Sequence, residues 1–297
     1  MAQGGYAWWY VDAVSDDGRY ALVLIAMIGS AFSPAYAAAR RRGPANPLDF
    51  VAMNVVLYGP GGRRWALTER AGATRTHDAL GIGPSLVRRE GDALVIDVDE
   101  RTTPFGARVR GRIRVEPEVV CGAPRTLDAA GAHRWWPIAP RARVRVDMSE
   151  PDVHWAGDGY HDANAGDAPL ESAFQSWQWS RAPIPGGALV SYAVERRDGT
   201  SAALDLRFGA NGPSIVAGLT PRTLPKSGWR IARAARSEGD PRVVRTLEDT
   251  PFYARSLVEL EVEGRRTVAV HEALSLERFD QRWVRMLLPA RIRRVAA

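Results

Sequence analysis

Apolar and polar side chains alternate at every second residue along several parts of this chain. From Ala107 to Val115, apolar or small residues alternate with four arginines, and residues 143–147 repeat the arrangement. Residues 257–263 alternate in the same way, with glutamates in the polar positions. Because successive side chains of a β-strand point to opposite faces, this period of two predicts half-buried strands.

Turn sequences separate many further short apolar runs. They include Asp16-Asp17-Gly18, Pro60-Gly61-Gly62, Pro185-Gly186-Gly187 and Asp198-Gly199. Short strands at this spacing are typical of an all-β sandwich or barrel. We predict helix only near Arg40 and from Leu276 to Leu288, so the expected fold class is all-β with few short helices.

An uncharged stretch of twenty residues, Tyr20 to Ala39, precedes three consecutive arginines. Its length would suit a membrane-spanning helix, but glycine, serine and proline interrupt its middle, and Leu22 to Ile25 favours a buried strand. We therefore predict a strand, a bend and a short alanine-rich segment. That last segment, Ala31 to Arg42, fits two interpretations equally: a piece that enters a bilayer interface, or an ordinary surface helix.

A composition change marks residues 149–170, which are rich in Asp, Gly, Ala and Pro. A stretch of this kind often connects two folded regions. We therefore predict two domains, residues 1–150 and residues 151–297.

The chain is modestly basic, since 40 basic and 34 acidic residues give a net charge of +6. An excess of this size is compatible with anionic lipid or nucleic acid, but a solvated basic surface is the simpler interpretation. The arginine-bearing strand has no interleaved aromatic residues that would stack bases. We therefore expect no nucleic-acid partner.

Cys121 is the only cysteine, so no disulfide can form within the chain, and we expect an intracellular protein. The first residues contain no basic segment ahead of an apolar run, so a secretory signal is not expected. Strand-like sequence begins almost at Met1, which predicts that any leading extension is missing or very short.

Two polar and aromatic clusters stand out in the middle of the chain, His133 to Trp136 and Gly157 to Gly166. Together they supply an imidazole, indoles, a phenol and a carboxyl group, with glycines that we expect to permit tight turns. Tyr160 and Asp162 lie two residues apart, so an extended segment would place both on one face. A carboxylic acid beside aromatic rings suits protonation of an apolar molecule and stabilisation of the resulting cation.

Other interpretations of these residues stay open. His133 fits a general base, a proton relay or a hydrogen-bonded loop histidine. Asp158, Asp162 and Asp167 lack the spacing of a calcium loop, so we predict no metal. No Gly-x-Ser-x-Gly sequence supports a serine triad. Trp177 and Trp179 share one strand face, where they would fill a barrel interior, contact an apolar ligand, or do both.

In these segments the sequence resembles the carotenoid 1,2-hydratases, also called hydroxyneurosporene synthases. The likeness covers nearly the whole chain, and the order of its motifs makes it specific. The segments that carry it are Gly5 to Ala13, Ile28 to Pro34, Met53 to Gly59, Arg64 to Arg70, Gly157 to Gly166, Trp177 to Arg181 and His271 to Phe279.

The resemblance implies two lipocalin-like β domains and a hydro-lyase without a cofactor. Such an enzyme adds water across the terminal C1–C2 double bond of acyclic carotenoids such as neurosporene or lycopene. It also implies a protein on the cytoplasmic side, in peripheral contact with membrane lipid. The family's functional His-x-Trp and Tyr-x-Asp pairs are similar to His133 with Trp135 and Tyr160 with Asp162.

The side chains suggest a role for each candidate. Asp162 would be the acid, and Trp135 and Tyr160 would stabilise a tertiary cation through their π faces. His133 would hold or deprotonate the attacking water, or orient the acid. We expect three further indoles, Trp136, Trp177 and Trp179, to contact the substrate.

Two other functions fit the same residues. A lipocalin-like carrier would bind polyenes and release them unchanged. A cyclase of related fold would use the same acid and cation but return a ring. The mass of the product separates these hypotheses, because hydration adds one water and cyclisation adds nothing.

Overall fold

The computed structural model describes residues 1–295 and consists mainly of antiparallel strands. The first twelve are β1 (Tyr6–Ser15), β2 (Ala21–Ile28), β3 (Val51–Gly59), β4 (Gly62–Arg70), β5 (Thr74–Arg75), β6 (Ala79–Ile82), β7 (Ser85–Glu90), β8 (Ala93–Arg101), β9 (Arg108–Val119), β10 (Arg125–Thr126), β11 (His133–Glu150) and β12 (Asp152–Gly166). The others are β13 (Phe174–Ile184), β14 (Gly187–Arg196), β15 (Ser201–Gly209), β16 (Gly212–Ile215), β17 (Thr220–Leu224), β18 (Arg233–Ser237), β19 (Arg242–Asp249), β20 (Tyr253–Val262), β21 (Arg265–Ser275) and β22 (Arg293–Val295). The all-β fold class is confirmed.

The helices are short. They are α1 (Pro34–Arg42), α2 (Leu170–Ala173), α3 (Leu276–Phe279) and α4 (Arg282–Leu287), with 3₁₀ turns at Pro47–Phe50 and Leu288–Ala290. The helical prediction for residues 276–288 is therefore confirmed, although the segment forms two short helices instead of one. Within residues 1–295, no helix is long and apolar enough to cross a membrane.

The chain divides into two compact units, one formed by Met1–Pro169 with the segment from Met286 onward, the other by Leu170–Arg285. We predicted the domain boundary after residue 150, but that position lies in the turn of the β11–β12 hairpin, inside the first unit. These two strands pair from His133 with Gly166 to Ser149 with Asp152, and the ladder between them holds β12 in the first unit. The structure thus moves the boundary to Pro169 and Leu170.

The first unit contains a thirteen-stranded sheet in the order β22-β4-β3-β2-β1-β12-β11-β9-β8-β7-β6-β5, with β10 beside β11. The sheet curls, because strands far apart in this order share one apolar core. Core residues include Leu22, Leu24, Met53, Val55, Ile96, Val98, Ile113, Val144 and Val146.

The second unit has a seven-stranded sheet in the order β16-β15-β14-β13-β21-β20-β19, and β17 pairs with β18. One face of the seven-stranded sheet packs against an apolar core that is separate from the core of the first unit. Core residues include Ala182, Ile184, Leu189, Leu224, Val258, Leu260 and Ala269.

The alternation that predicted β9 is confirmed. Val109, Ile113 and Val115 are buried, while the arginines between them face outward and pair with acids of neighbouring strands. Arg108 binds Asp99, for example, with N···O distances of 2.9 and 2.7 Å. The face is therefore a solvated network of opposite charges, as the simpler interpretation held.

The uncharged stretch folds as predicted, into β2, a bend and a helix. Ser33 caps α1 by accepting a hydrogen bond from the Tyr36 amide. Tyr36 is buried and donates its hydroxyl to Gly5 O at 2.6 Å, whereas Arg41 and Arg42 are exposed. One side of α1 is thus fixed to the unit, and its C-terminal arginines face outward.

Candidate active site

The two faces of β12 have different surroundings. Odd-numbered residues such as Gly159 and His161 lie opposite core positions, since Gly159 pairs with Ala142 and His161 with Ala139. Tyr160 and Asp162 therefore project from the other face. The prediction that these two share a face is confirmed, and the face is the one turned away from the apolar core of the first unit.

The glycines of this segment do not make turns, contrary to the expectation from sequence. Residues 152–166 form one continuous strand. A Cβ at Gly157 would overlap the backbone of Val14 and reach 2.7 Å from Ser15 Cα. At Gly159 it would lie 3.2 Å from Val144 Cβ. Glycine is needed at both positions because neighbouring strands pass too close for a side chain.

Trp135, Tyr160 and Asp162 form a hydrogen-bonded cluster. Trp135 Nε1 donates to Asp162 Oδ2 at 2.8 Å and lies 3.2 Å from Tyr160 Oη. Tyr160 Oη also donates to Asp162 Oδ2, at 2.8 Å. Trp135 and Tyr160 are fully buried and Asp162 is 5% exposed. The predicted acid thus lies beside an indole and a phenol, away from bulk water.

Burial raises the pKa of Tyr160 well above its ordinary value, and the nearby charges of Asp162 and Asp12 act in the same direction. The phenol therefore keeps its proton at neutral pH and serves as a hydrogen-bond donor. Since an indole N–H is also only a donor, both groups contact the same carboxyl oxygen. A proton on Asp162 would accordingly be carried by Oδ1.

His133 lies on the same face, further along the strands. Its ladder partner is Gly166, four residues from Asp162, or about 13 Å at roughly 3.3 Å per residue. Tyr6 Oη is 2.9 Å from His133 Nδ1, and the His133 amide donates to Asp128 Oδ1 at 2.8 Å. Burial lowers the pKa of His133 despite the nearby acids, which favours a neutral imidazole.

Gly166 makes the contact between Tyr6 and His133 possible. A Cβ at this position would lie 2.7 Å from His133 Nδ1 and 2.7 Å from Tyr6 Cζ. Ordinary contacts between such atoms are roughly 3.5–4.0 Å. Gly166 therefore leaves space on the face of β12 that carries Tyr160 and Asp162. Gly157 and Gly159 leave space on the opposite face, which is turned toward the apolar core.

β1 adds residues that sequence reasoning missed. Its register pairs Tyr10 with Asp162 and Asp12 with Tyr160, so both face the cluster. Asp12 is fully buried and accepts a hydrogen bond from Tyr10 Oη at 2.9 Å. The Tyr10 ring meets Tyr160 edge-on, with centroids 6.1 Å apart. A signal for them is present in the sequence of β1, where aromatic or acidic residues occupy every second position from Tyr6 to Asp12.

Of the other predicted substrate contacts, Trp136 does not join this cluster. Trp136 projects from the opposite face of β11 to Trp135, is 38% exposed, and donates its indole N–H to Cys121 O at 2.7 Å. Trp177 and Trp179 belong to β13 of the second unit, where both are buried. As predicted, they share one face of their strand.

In the described part of the chain, no group of three or more His, Cys, Asp or Glu side chains is arranged to hold a metal ion. Two of the three acids that we compared with a calcium loop are in ion pairs. Asp158 lies 3.6 Å from Arg141, and Asp167 lies 3.1 Å from Arg134.

Known proteins with similar sequences belong to the family that the sequence motifs resemble. Residues 24–297 match the family model described as carotenoid hydratase CrtC. A protein of Thiocapsa roseopersicina named acyclic carotenoid 1,2-hydratase is 52% identical over 99% of this chain and 74% of its own length. A protein of the same name from Rubrivivax gelatinosus is 44% identical, again over 99% of this chain and 74% of its own length.

A solved structure supports the fold. A putative AttH protein of Nitrosomonas europaea superposes with a TM-score of 0.64 over 93% of each chain, at 14% sequence identity. At this identity the likeness concerns the fold alone, which is the lipocalin-like architecture that the family resemblance implied.

Proposed function

This chain belongs to the CrtC family of carotenoid hydratases, and from that premise we propose that it is an acyclic carotenoid 1,2-hydratase. It would add water across the terminal C1–C2 double bond of neurosporene, lycopene or a related polyene. The observation that carries the proposal is the buried cluster of Trp135, Tyr160 and Asp162. Such a cluster offers a proton and aromatic faces where an apolar end group would be shielded from water.

The first step is protonation of the alkene. The O–H bond of Asp162 breaks, and the π electrons of the double bond form a new C2–H bond. The positive charge then rests on C1, a tertiary centre. Burial favours the neutral form of a carboxyl group, which suits an acid that must carry its proton at neutral pH.

The second step is capture of the cation by water. Trp135 and Tyr160 present π systems next to the acid, and each such contact stabilises a cation by about 0.5–2 kcal/mol. A water oxygen bonds to C1, and His133 accepts the proton that the water releases. A neutral imidazole can accept a proton, and the strand spacing of roughly 13 Å is too long for His133 to orient the acid directly. By the same spacing, the proton would reach His133 through intervening water molecules.

The reaction needs no redox cofactor, since the product differs from the substrate only by one water. The proton that Asp162 gives to C2 is balanced by the one that His133 takes from the attacking water. Before the next turnover, His133 would release its proton to solvent and Asp162 would take one up. We include cofactor independence in the proposal on this chemical ground.

Because the polyene is dissolved in lipid, the proposal includes peripheral contact with the cytoplasmic side of a membrane. Arg41 and Arg42, exposed at the end of α1, are candidates to meet anionic head groups. Sedimentation with phosphatidylglycerol vesicles tests this point. Replacing both by serine should weaken binding, whereas Arg75→Ser, at an exposed arginine elsewhere, should not.

The decisive experiment is incubation of the purified protein with lycopene in detergent, without added cofactor, followed by mass analysis. The expected product has gained one water. Unchanged lycopene would indicate a carrier, and an isomer of equal mass would indicate a cyclase.

Site variants then test the acid. Asp162→Asn should lower the rate by at least about 10²-fold, the lower range for a general acid, while lycopene still binds. Asp158→Asn is the matched control, because Asp158 lies on the same strand face but is paired with Arg141. Full turnover by Asp162→Asn would refute the assignment.

A further inference from the structure

A second carboxyl group lies on the same buried sheet face as Asp162. Asp12 of β1 is fully buried, and the register of β1 and β12 places it opposite Tyr160. The same register places Tyr10 opposite Asp162. Asp12 and Asp162 therefore occupy diagonal positions on adjacent strands, which stand roughly 7–8 Å apart in antiparallel sheets.

Two tyrosines connect the carboxyl groups. Tyr10 Oη donates to Asp12 Oδ2 at 2.9 Å, and Tyr160 Oη donates to Asp162 Oδ2 at 2.8 Å. The two rings meet edge-on at 6.1 Å. After burial, the charge of Asp162 and its hydrogen bond raise the pKa of Tyr160, and the charge of Asp12 adds a smaller increase. The electrostatic effects of both acids therefore reach the same phenol.

Several other charged groups on this face of the first unit are in ion pairs, and burial lowers the pKa of His133, which favours its neutral form. β2 places an uncharged valine opposite Asp12. On β12, Asp158 lies 3.6 Å from Arg141 of β11. Arg143 of β11 donates to Asp16 at 2.6 Å. These ion pairs reduce the field that their members exert on Asp12.

We propose that Asp12 is a positioning residue that keeps the proton on Asp162 until substrate arrives. The inference rests on the function proposed above, in which Asp162 is the acid. A negative charge on Asp12 opposes ionisation of Asp162, because two carboxylates on one water-poor face repel each other. Asp12 itself exchanges no proton with the polyene or the water. Its effect is on the ionisation equilibrium of Asp162. Because the two carboxyl groups interact, Asp12 and Asp162 titrate as a coupled pair.

The indole N–H of Trp135 offers a readout that needs no substrate. Because it donates to Asp162 Oδ2, its nuclear magnetic resonance signal should follow the protonation of that carboxyl group. Protein labelled with ¹⁵N-tryptophan would be titrated with acid and base, and the signal assigned by its absence from Trp135→Phe.

Asp12→Asn keeps the size of the side chain and removes the charge. It should move the midpoint of the Trp135 signal to lower pH by about one unit, the order expected for a charge at this distance with an effective dielectric constant of about 20. The alkaline limb of the pH–rate profile, where Asp162 loses its proton, should move in the same direction. Asp158→Asn, whose charge is already paired, should leave the midpoint within about 0.3 units at the screening typical of exposed ion pairs.

Tyr10→Phe provides a second test that alters neither carboxyl group. Loss of its hydrogen bond disfavours the charged form of Asp12, so the midpoint should shift in the same direction by a smaller amount. If Asp12→Asn fails to fold, the midpoint of the Trp135 signal in Tyr10→Phe tests the inference instead. An unchanged midpoint in a folded Asp12→Asn or Tyr10→Phe protein overturns the inference. Absence of a hydrated product from the wild type would instead refute the proposed function, and the titration would still report the coupling.

Discussion

Substitution of Gly166 by alanine tests the local geometry of the candidate site. The new Cβ would lie 2.7 Å from both His133 Nδ1 and Tyr6 Cζ, about 1 Å closer than ordinary van der Waals contact. The neighbouring backbone belongs to the central strands of the sheet, so the rings of Tyr6 and His133 must move instead. A displacement of this size would break the 2.9 Å contact between Tyr6 Oη and His133 Nδ1.

Two consequences have predictable sizes. Overpacking of a buried position lowers the free energy of unfolding by about 1–3 kcal/mol. A shift of about 1 Å in a reacting group can lower the rate by about 10²-fold. Because the cluster around the acid is four residues away along β12, substrate affinity should change much less than the rate.

Urea denaturation and the initial rate of hydrated-lycopene formation measure the two effects. Gly122→Ala is a suitable control, because a Cβ at Gly122 meets no atom within 4 Å. If Gly166→Ala retained wild-type stability and rate, the close contacts inferred around this glycine would be refuted.

Three further predictions concern single side chains. Tyr160→Phe keeps the aromatic ring but removes one donor to the acid, and should lower the hydration rate about 10- to 100-fold, which corresponds to about 1–3 kcal/mol for a buried hydrogen bond. Burial lowers the pKa of His161 to about 4. The unfolded chain therefore binds more protons below about pH 6.5, and stability should fall as pH drops from 7 to 4, by up to about 3 kcal/mol for this residue; urea denaturation of His161→Gln should show a correspondingly flatter pH dependence. Arg70 makes two hydrogen bonds to the buried carboxylate of Glu100, at 3.0 and 2.8 Å. Arg70→Ala should lower the free energy of unfolding by about 3–5 kcal/mol, because it leaves a buried charge uncompensated; an effect no larger than that of Arg75→Ala would contradict this.

Much of the fold could be predicted from local sequence. Alternation found β9, and interrupted hydrophobicity separated β2 from α1. These inferences succeed because burial on one face of a strand leaves a direct trace in the order of residues. The same reasoning placed Tyr160 and Asp162 on one face, since that requires only an extended backbone.

Long-range register explains what was missed. Tyr10 and Asp12 reach the candidate site because β1 pairs with β12, about 150 residues later in the chain, and no local pattern specifies that pairing. The sequence predicts turns at the glycines of β12, and this prediction is wrong because close strand packing favours glycine just as tight turns do. Only the neighbouring strands distinguish the two causes.

The catalytic roles stay predictions, but their geometry differs from residue to residue. Trp135, Tyr160 and Asp162 are brought into direct contact, as the proposed chemistry requires. Trp136 is adjacent to Trp135 in sequence and nevertheless projects to the other side of β11. A short motif therefore located the site without distinguishing which of two consecutive indoles faces it.

The parallel pairing of β22 with β4 has a consequence for synthesis. Arg293–Val295 align with Thr68–Arg70, and Arg294 forms an ion pair with the buried Glu69. A ribosome delivers the whole second unit before it delivers these last rungs. The edge of β4 therefore stays unpaired while more than two hundred later residues are synthesised. A chain that ended before Arg293 would leave that edge open to other strands.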